Sequence, residues 1–108
     1  MITTHVLDTA AGRPAVGMSV VLAVHKGSDW VRIAAGHTDE QGRLTNLSGE
    51  GVMGPGVYRL TFDTGTYHRD RESFFPEVQV IFKLLDAREH VHVPLLVSPF
   101  GYTTYRGA

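Results

Sequence analysis

HVHVPLLVSPFGYTTYRGA, residues 90–108, reads as two β-strands separated by Pro99 and Phe100. In the first run, strand periodicity puts His90, His92 and Pro94 on one face and Val91 and Val93 on the other. The two imidazoles then share a face, with their Cβ atoms about 6–7 Å apart. A face with two titratable rings and a proline does not look like sandwich core, so the valines belong inward and the histidines outward. In the second run Tyr102, Thr104 and Arg106 alternate with Thr103 and Tyr105, which leaves both faces polar and aromatic. Such a face suits recognition better than open solvent.

The rest of the chain continues the β pattern. THVLD (4–8) is a strand closed by an AAGRPA turn, and VVLAVHK (20–26) and WVRIAAGHT (30–38) form a hairpin through GSD. DEQGR is a tight turn in which Gly42 supplies a positive φ, followed by a short strand RLTNL (43–47) and the Gly-rich loop GEGVMGPG (49–56). GVYRLTFDT (56–64) has period two, with Tyr58, Leu60 and Phe62 on one side. TYHRDRESF (66–74) is polar and poor in β-branched residues, which predicts a short helix over a sheet end that Pro76 stops. VQVIFKLLD (78–86) completes eight strands. Short strands and frequent turns point to an all-β fold, two sheets packed face to face with one helix.

A chain of 108 residues is one domain, residues 1–108. Ten basic and eleven acidic residues, scattered to a net charge of −1, provide no strong positive field, so nucleic acid and anionic membranes are not expected partners. The absence of cysteine removes disulfides and thiolate chemistry. The N-terminal residues lack the basic-then-apolar pattern of an export signal, and a cytoplasmic location is the expectation.

Six histidines are many for this length. His25, His37 and His68 stand singly and read as exposed or hydrogen-bonded side chains. His90 and His92 share a face, and His5 opens a strand where an apolar residue would serve the core better. Two chemistries fit such a group. H-x-H plus a third histidine is a zinc-ligand pattern, although no carboxylate stands at fixed spacing from the pair. Alternatively, a histidine near neutrality takes a proton from water while an arginine stabilises the charge developing on a carbonyl oxygen. Arg43, Arg59 and Arg106 are the candidates, and spacing does not choose among them.

HVLD (5–8), GHTDEQGR (36–43), ESFFPEV (72–78) and the C-terminal stretch together resemble the 5-hydroxyisourate hydrolases, or transthyretin-related proteins, over essentially the whole chain. The YRGA tail resembles the family's YRGS, and the H-x-HVPLL block is nearly as specific. The resemblance implies a transthyretin-like (prealbumin-like) sandwich of two four-stranded sheets with one short helix. It further implies a homotetramer, a dimer of dimers with active sites in the channel between them. The implied reaction opens the six-membered ring of 5-hydroxyisourate, the product of urate oxidation, without metal or cofactor. By motif, His5, Arg43 and His92 match the catalytic set; Tyr105, Arg106 and Gly107 match the tail and, with Thr103 and His90, are the expected substrate contacts. Two positions depart from the pattern. Ala108 replaces serine, so a tail acting through its terminal carboxylate or backbone survives while one acting through a hydroxyl does not. Val91 replaces tyrosine and, facing away from the histidines, should affect packing alone. The rival reading is a transthyretin-like carrier of small ligands. Those carriers lack the His, Arg, His set and the YRG tail, and the Tyr105 ring should narrow the channel to small polar ligands.

Overall fold

Alternating apolar and polar residues give each long strand one dry face, and burying two such faces against each other removes them from water together. The computed structural model describes residues 1–47 and 54–108. In chain order the strands are β1 (Ile2–Asp8), β2 (Arg13–Pro14), β3 (Ser19–Lys26), β4 (Asp29–His37), β5 (Arg43–Leu44), β6 (Gly56–Phe62), β7 (Val78–Leu84), β8 (Val91–Ser98) and β9 (Gly101–Thr104), with the helix α1 (Thr64–Tyr67) between β6 and β7. One sheet runs β4-β3-β6-β7 and is antiparallel throughout. The other runs β2-β1-β8-β9, with β5 also paired to β1. In this second sheet β1 and β8 are parallel, in register from Ile2↔Val91 to Asp8↔Val97.

The inward residues follow the expected period. Ile2 and Val6 of β1 and Val91, Val93, Leu95 and Val97 of β8 are buried against Val20 and Leu22 of β3, Tyr58, Leu60 and Phe62 of β6, and Val78 of β7. Each such side chain contributes roughly 1.5–3 kcal/mol when fully buried. The fold is the transthyretin-like sandwich of the sequence reading, its second sheet extended by two short strands.

Several boundaries differ from expectation. The AAGRPA turn contains β2, which pairs with Leu7 and Asp8, so there are nine strands among the described residues rather than eight. The expected strand 43–47 is ordered as a ladder over Arg43 and Leu44 alone, pairing with His5 and Thr4. Of the loop at 49–56, residues 49–53 lie outside the described residues. The strand expected from His90 begins at Val91, and the last strand ends at Thr104, with Gly107 returning to bridge His92. Gly42 adopts φ +77°, and a Cβ there would collide with the Val6 carbonyl, so the turn needs glycine both for conformation and for its close approach to β1.

The helix is the largest correction. It occupies Thr64–Tyr67 rather than 66–74, a single turn capped by the Asp63 side chain, which accepts from the Thr66 N–H. The Thr64 hydroxyl donates to Phe75 O and the Gly65 N–H to Pro76 O, tying this turn to the returning chain. The polar segment after it has no apolar stripe to bury, so local propensity alone does not extend it.

That segment is anchored instead by a charge. Asp8 is 2% exposed. It accepts from the Ala10 and Ala11 N–H groups, the Tyr67 hydroxyl at 2.8 Å and Arg71 at 2.6 Å. Burial alone would raise the Asp8 pKa, but the Ala11 N–H, Tyr67 and Arg71 together hold it below the usual carboxylate range. Burial and the same carboxylate push Tyr67 up to about 12. Arg71 also donates from its Nε to His68 Nδ1, and burial followed by that cation lowers the pKa of this enclosed histidine. Both lowered values give stability that is present at neutral pH and lost on acidification. His68 begins to lose it below its ordinary value of about 6.5, and Asp8 below about 3.9. Arg71→Ala is expected to cost about 1–3 kcal/mol in urea unfolding at pH 7, the partial exposure of the guanidinium keeping it below a fully buried pair. An unchanged unfolding midpoint would show that the network is not structural.

Candidate active site

The register of three strands decides which polar side chains meet. In the parallel β1–β8 ladder Thr3 lies opposite His92 and His5 opposite Pro94. In the antiparallel β1–β5 pair His5 lies opposite Arg43. Paired residues share a face, so Thr3, His5, Arg43 and His92 all project from the outer face of the sheet, away from the valine core. A hollow of about 290 Å³ opens there, lined by Met1, Thr3, Thr4, Arg43, Thr45, His90, His92 and Ala108. His5 stands beside it through its pairing with Arg43.

Hydrogen bonds fix the rings. His5 Nε2–H donates to the Gln41 carbonyl at 2.8 Å. Because a carbonyl only accepts, Nε2 carries the proton, and in the neutral ring Nδ1 keeps its lone pair. His92 Nδ1 lies 2.8 Å from the Thr3 hydroxyl, and His90 Nε2 lies 3.2 Å from the same oxygen. The Gly107 N–H donates to the His92 carbonyl at 2.8 Å, so the tail closes over this ring. Partial burial lowers the His92 pKa, and the Arg43 charge, then His5 and His90, act in the same direction. All of these influences favour the neutral form of the His92 ring.

Arg43 is held from its backbone. Its N–H and that of Gln41 donate to Asp39 Oδ1, and Asp39 N–H donates back to Arg43 O. Those two amide bonds, with the Arg43 charge, keep the Asp39 carboxyl below its usual range. The guanidinium is exposed and forms no ion pair among the described residues, so it is available to an anionic or carbonyl-bearing ligand.

The other sequence candidates divide. His90 and Gly107 are at the site, the first through Thr3 and the second against the His92 ring. Tyr105 and Arg106 instead line a separate cleft of about 190 Å³ between the sheets, with Val80, Phe82, Val91 and Val93. Arg106 pairs there with Glu89 at 2.8 Å. Thr103 lies opposite Leu96 on β9 and does not line the hollow. Arg59 stacks over Trp30 at 4.5 Å on the other sheet. Of the three arginines considered, the structure therefore brings Arg43 alone to the histidines. Among the described residues no three His, Asp or Glu side chains gather as a metal-holding group. Thr3 escaped sequence reading because a threonine beside a strand start reads as a β-former; its one signal was the i, i+2 relation to His5.

The model of the HIUase/transthyretin family matches residues 2–107. A 5-hydroxyisourate hydrolase of Salmonella dublin is 44% identical over 110 residues, covering 100% of this chain and 81% of that protein. Among solved structures, 5-hydroxyisourate hydrolase of Klebsiella pneumoniae aligns with a TM-score of 0.86 and 35% identity, covering 99% of this chain and 98% of that one. Sea bream transthyretin in complex with thyroxine aligns at 0.92 with 32% identity, covering 99% and 94%.

A Cβ at Gly107 would lie 2.6 Å from His92 Cδ2. Gly107→Ala is therefore expected to displace the ring and shift its imidazole resonances in ¹H–¹⁵N spectra. Gly101→Ala, whose Cβ would meet Ser98 Oγ at 3.8 Å, should leave them in place. Identical His92 signals in all three proteins would contradict the packing of tail on ring.

Proposed function

The chain belongs to the HIUase/transthyretin family, and from that premise we propose that it is a 5-hydroxyisourate hydrolase of urate degradation, acting through His5, Arg43 and His92 without a metal. The observation that carries the proposal is their convergence on one outer sheet face by the β1–β8 and β1–β5 registers.

In this reading the substrate's ring lies in the hollow with a carbonyl toward Arg43. His92 Nε2 takes a proton from a water, and the hydroxide oxygen bonds to the ring carbonyl carbon. The carbonyl electrons move onto oxygen, where the Arg43 guanidinium stabilises the oxyanion through hydrogen bonds and charge. The oxyanion collapses, the carbon–nitrogen bond breaks, and the nitrogen takes the proton from the His92 imidazolium, which opens the six-membered ring. His5, its Nε2–H engaged by Gln41 O, presents Nδ1 as an acceptor that orients the water. His90 and Gly107 support His92 in this reading, while Tyr105, Arg106 and Thr103 reach substrate only if a second copy of the chain brings them to the hollow. We propose such an assembly, a homotetramer built as a dimer of dimers.

The likeness to thyroxine-bound transthyretin supports a second reading, a small-ligand carrier of the same fold. Catalysis separates the two. In an absorbance assay on freshly made 5-hydroxyisourate the chain should exceed the spontaneous rate, and His92→Asn should lower kcat by about 10²–10⁴-fold. Activity should be full at pH 7–8 and decline on acidification below the ordinary histidine value of about 6.5, because the lowered pKa keeps His92 neutral above it. Turnover at the spontaneous rate, together with thyroxine binding, would establish the carrier instead; a rate flat between pH 5 and 8 would remove the histidine base.

A further inference from the structure

We propose that Thr3 is a positioning residue that holds His92 in the tautomer with its proton on Nδ1, leaving the Nε2 lone pair in the hollow, and that His90 completes the hydrogen-bonded chain. This rests on the hydrolase reading for its catalytic consequence, though not for its geometry.

Thr3 is 5% exposed, and its hydroxyl is the shared neighbour of two rings, 2.8 Å from His92 Nδ1 and 3.2 Å from His90 Nε2. A hydroxyl has one proton and two lone pairs, so it donates to at most one ring and must accept from the other. Two arrangements complete the chain. Either His92 Nδ1–H donates to Thr3 Oγ1 and the hydroxyl donates to His90 Nε2, or every bond reverses and His92 carries its proton on Nε2.

Charge favours the first, and the Thr3 oxygen holds it by accepting from Nδ1–H. Arg43 and Ala108 both line the hollow that His92 faces, but the charges that act on the ring are those of Arg43, His5 and His90 with no carboxylate among them, and a cation favours a lone pair over an N–H dipole directed at it. The Arg43 charge already disfavours the His92 imidazolium, as do His5 on β1 and His90 ahead of β8; the Met1 amino group, a further cation at this rim, is bound to Glu89 O. His90 is exposed and free to take either tautomer, so it follows the choice made at His92. The β-branched Thr3 side chain has restricted χ1 freedom, and the Thr3↔His92 register sets its oxygen against the ring. The same bond orients the ring against which Gly107 packs.

The chain also gives the proton a way to move. When Nε2 takes a proton from water, Nδ1–H can pass its own to Thr3 Oγ1 as the hydroxyl proton passes to His90 Nε2. His92 is then neutral and His90 carries the charge in solvent. As the leaving nitrogen takes the proton from Nε2, the two transfers through Thr3 reverse, His90 gives up its extra proton, and the starting tautomer is restored with the proton count conserved.

The experiment compares the unaltered chain with Thr3→Val, which removes the hydroxyl, and Thr3→Ser, which keeps it. Long-range ¹H–¹⁵N spectra should show neutral His92 protonated at Nδ1 in the unaltered chain and in Thr3→Ser, and a shift toward Nε2–H in Thr3→Val. On 5-hydroxyisourate, Thr3→Val should lose about 10- to 100-fold in kcat and move the acid limb of its pH profile, while Thr3→Ser stays within about threefold of the original. An Nε2-protonated His92 in the unaltered chain overturns the proposal even if Thr3→Val fails to fold. So does a Thr3→Val protein with unchanged tautomer and pH profile. If the unaltered chain does not hydrolyse 5-hydroxyisourate, the hydrolase reading fails while the spectra still decide the tautomer.

Discussion

The parallel pairing of β1 with β8 is the constraint on which the site depends. It joins segments almost ninety residues apart, with Thr3 opposite His92 and Val6 opposite Leu95. Closing so long a connection costs chain entropy that local contacts do not offset, so the pairing must be held by what it buries. Ile2, Val6, Val91, Val93, Leu95 and Val97 supply that apolar area on the inner face. Because side chains alternate, a slip of one residue on either strand would send its histidines inward and its aliphatic residues into solvent. The core therefore selects the register, and the register places the polar groups of the outer face.

Other local features reinforce the same placement. Asp39 organises the turn that carries Arg43 by accepting two amide bonds, and Gly42 lets that turn lie against β1. Gly107 does the corresponding work at the tail, where the lack of a side chain lets the chain close on the His92 ring. At the far end of β1, Asp8 ties the segment after α1 to the sheet through Arg71 and Tyr67. The β1–β8 pair thus bears the structural anchor at one end and the candidate chemistry at the other: hydrogen-bond donors hold the Asp8 carboxyl low despite its burial, while burial and the Arg43 charge lower the His92 pKa.

Much of this was legible in the sequence because it depends on period and turn chemistry. The split between His90/His92 and Val91/Val93, the inward set Tyr58, Leu60 and Phe62, and the positive φ of Gly42 all follow from local rules. What escaped depends on partners distant in sequence. The single turn of α1 reflects bonds to Phe75 and Pro76 and the pull of Asp8 on Arg71, none of which shows in the composition of residues 66–74. The choice of Arg43 over Arg59 and Arg106 came from pairing with His5, and Thr3 gained its position from a strand at the other end of the chain. The family resemblance implied His5, Arg43 and His92 as the site, which the registers bring to one face, but the tail's Tyr105 and Arg106 lie at a different cleft within one chain.

The central claim is that one outer sheet face gathers His5, Arg43 and His92 around a single ligand position. A crystal structure of the protein with an unreactive purine analogue bearing ring carbonyls tests it most directly. The account predicts the analogue in the hollow beside Met1 and Ala108, a carbonyl hydrogen-bonded to the Arg43 guanidinium and the ring within reach of His92 Nε2. An analogue bound instead in the cleft of Val80 and Phe82, with Arg43 and His92 untouched, would contradict it.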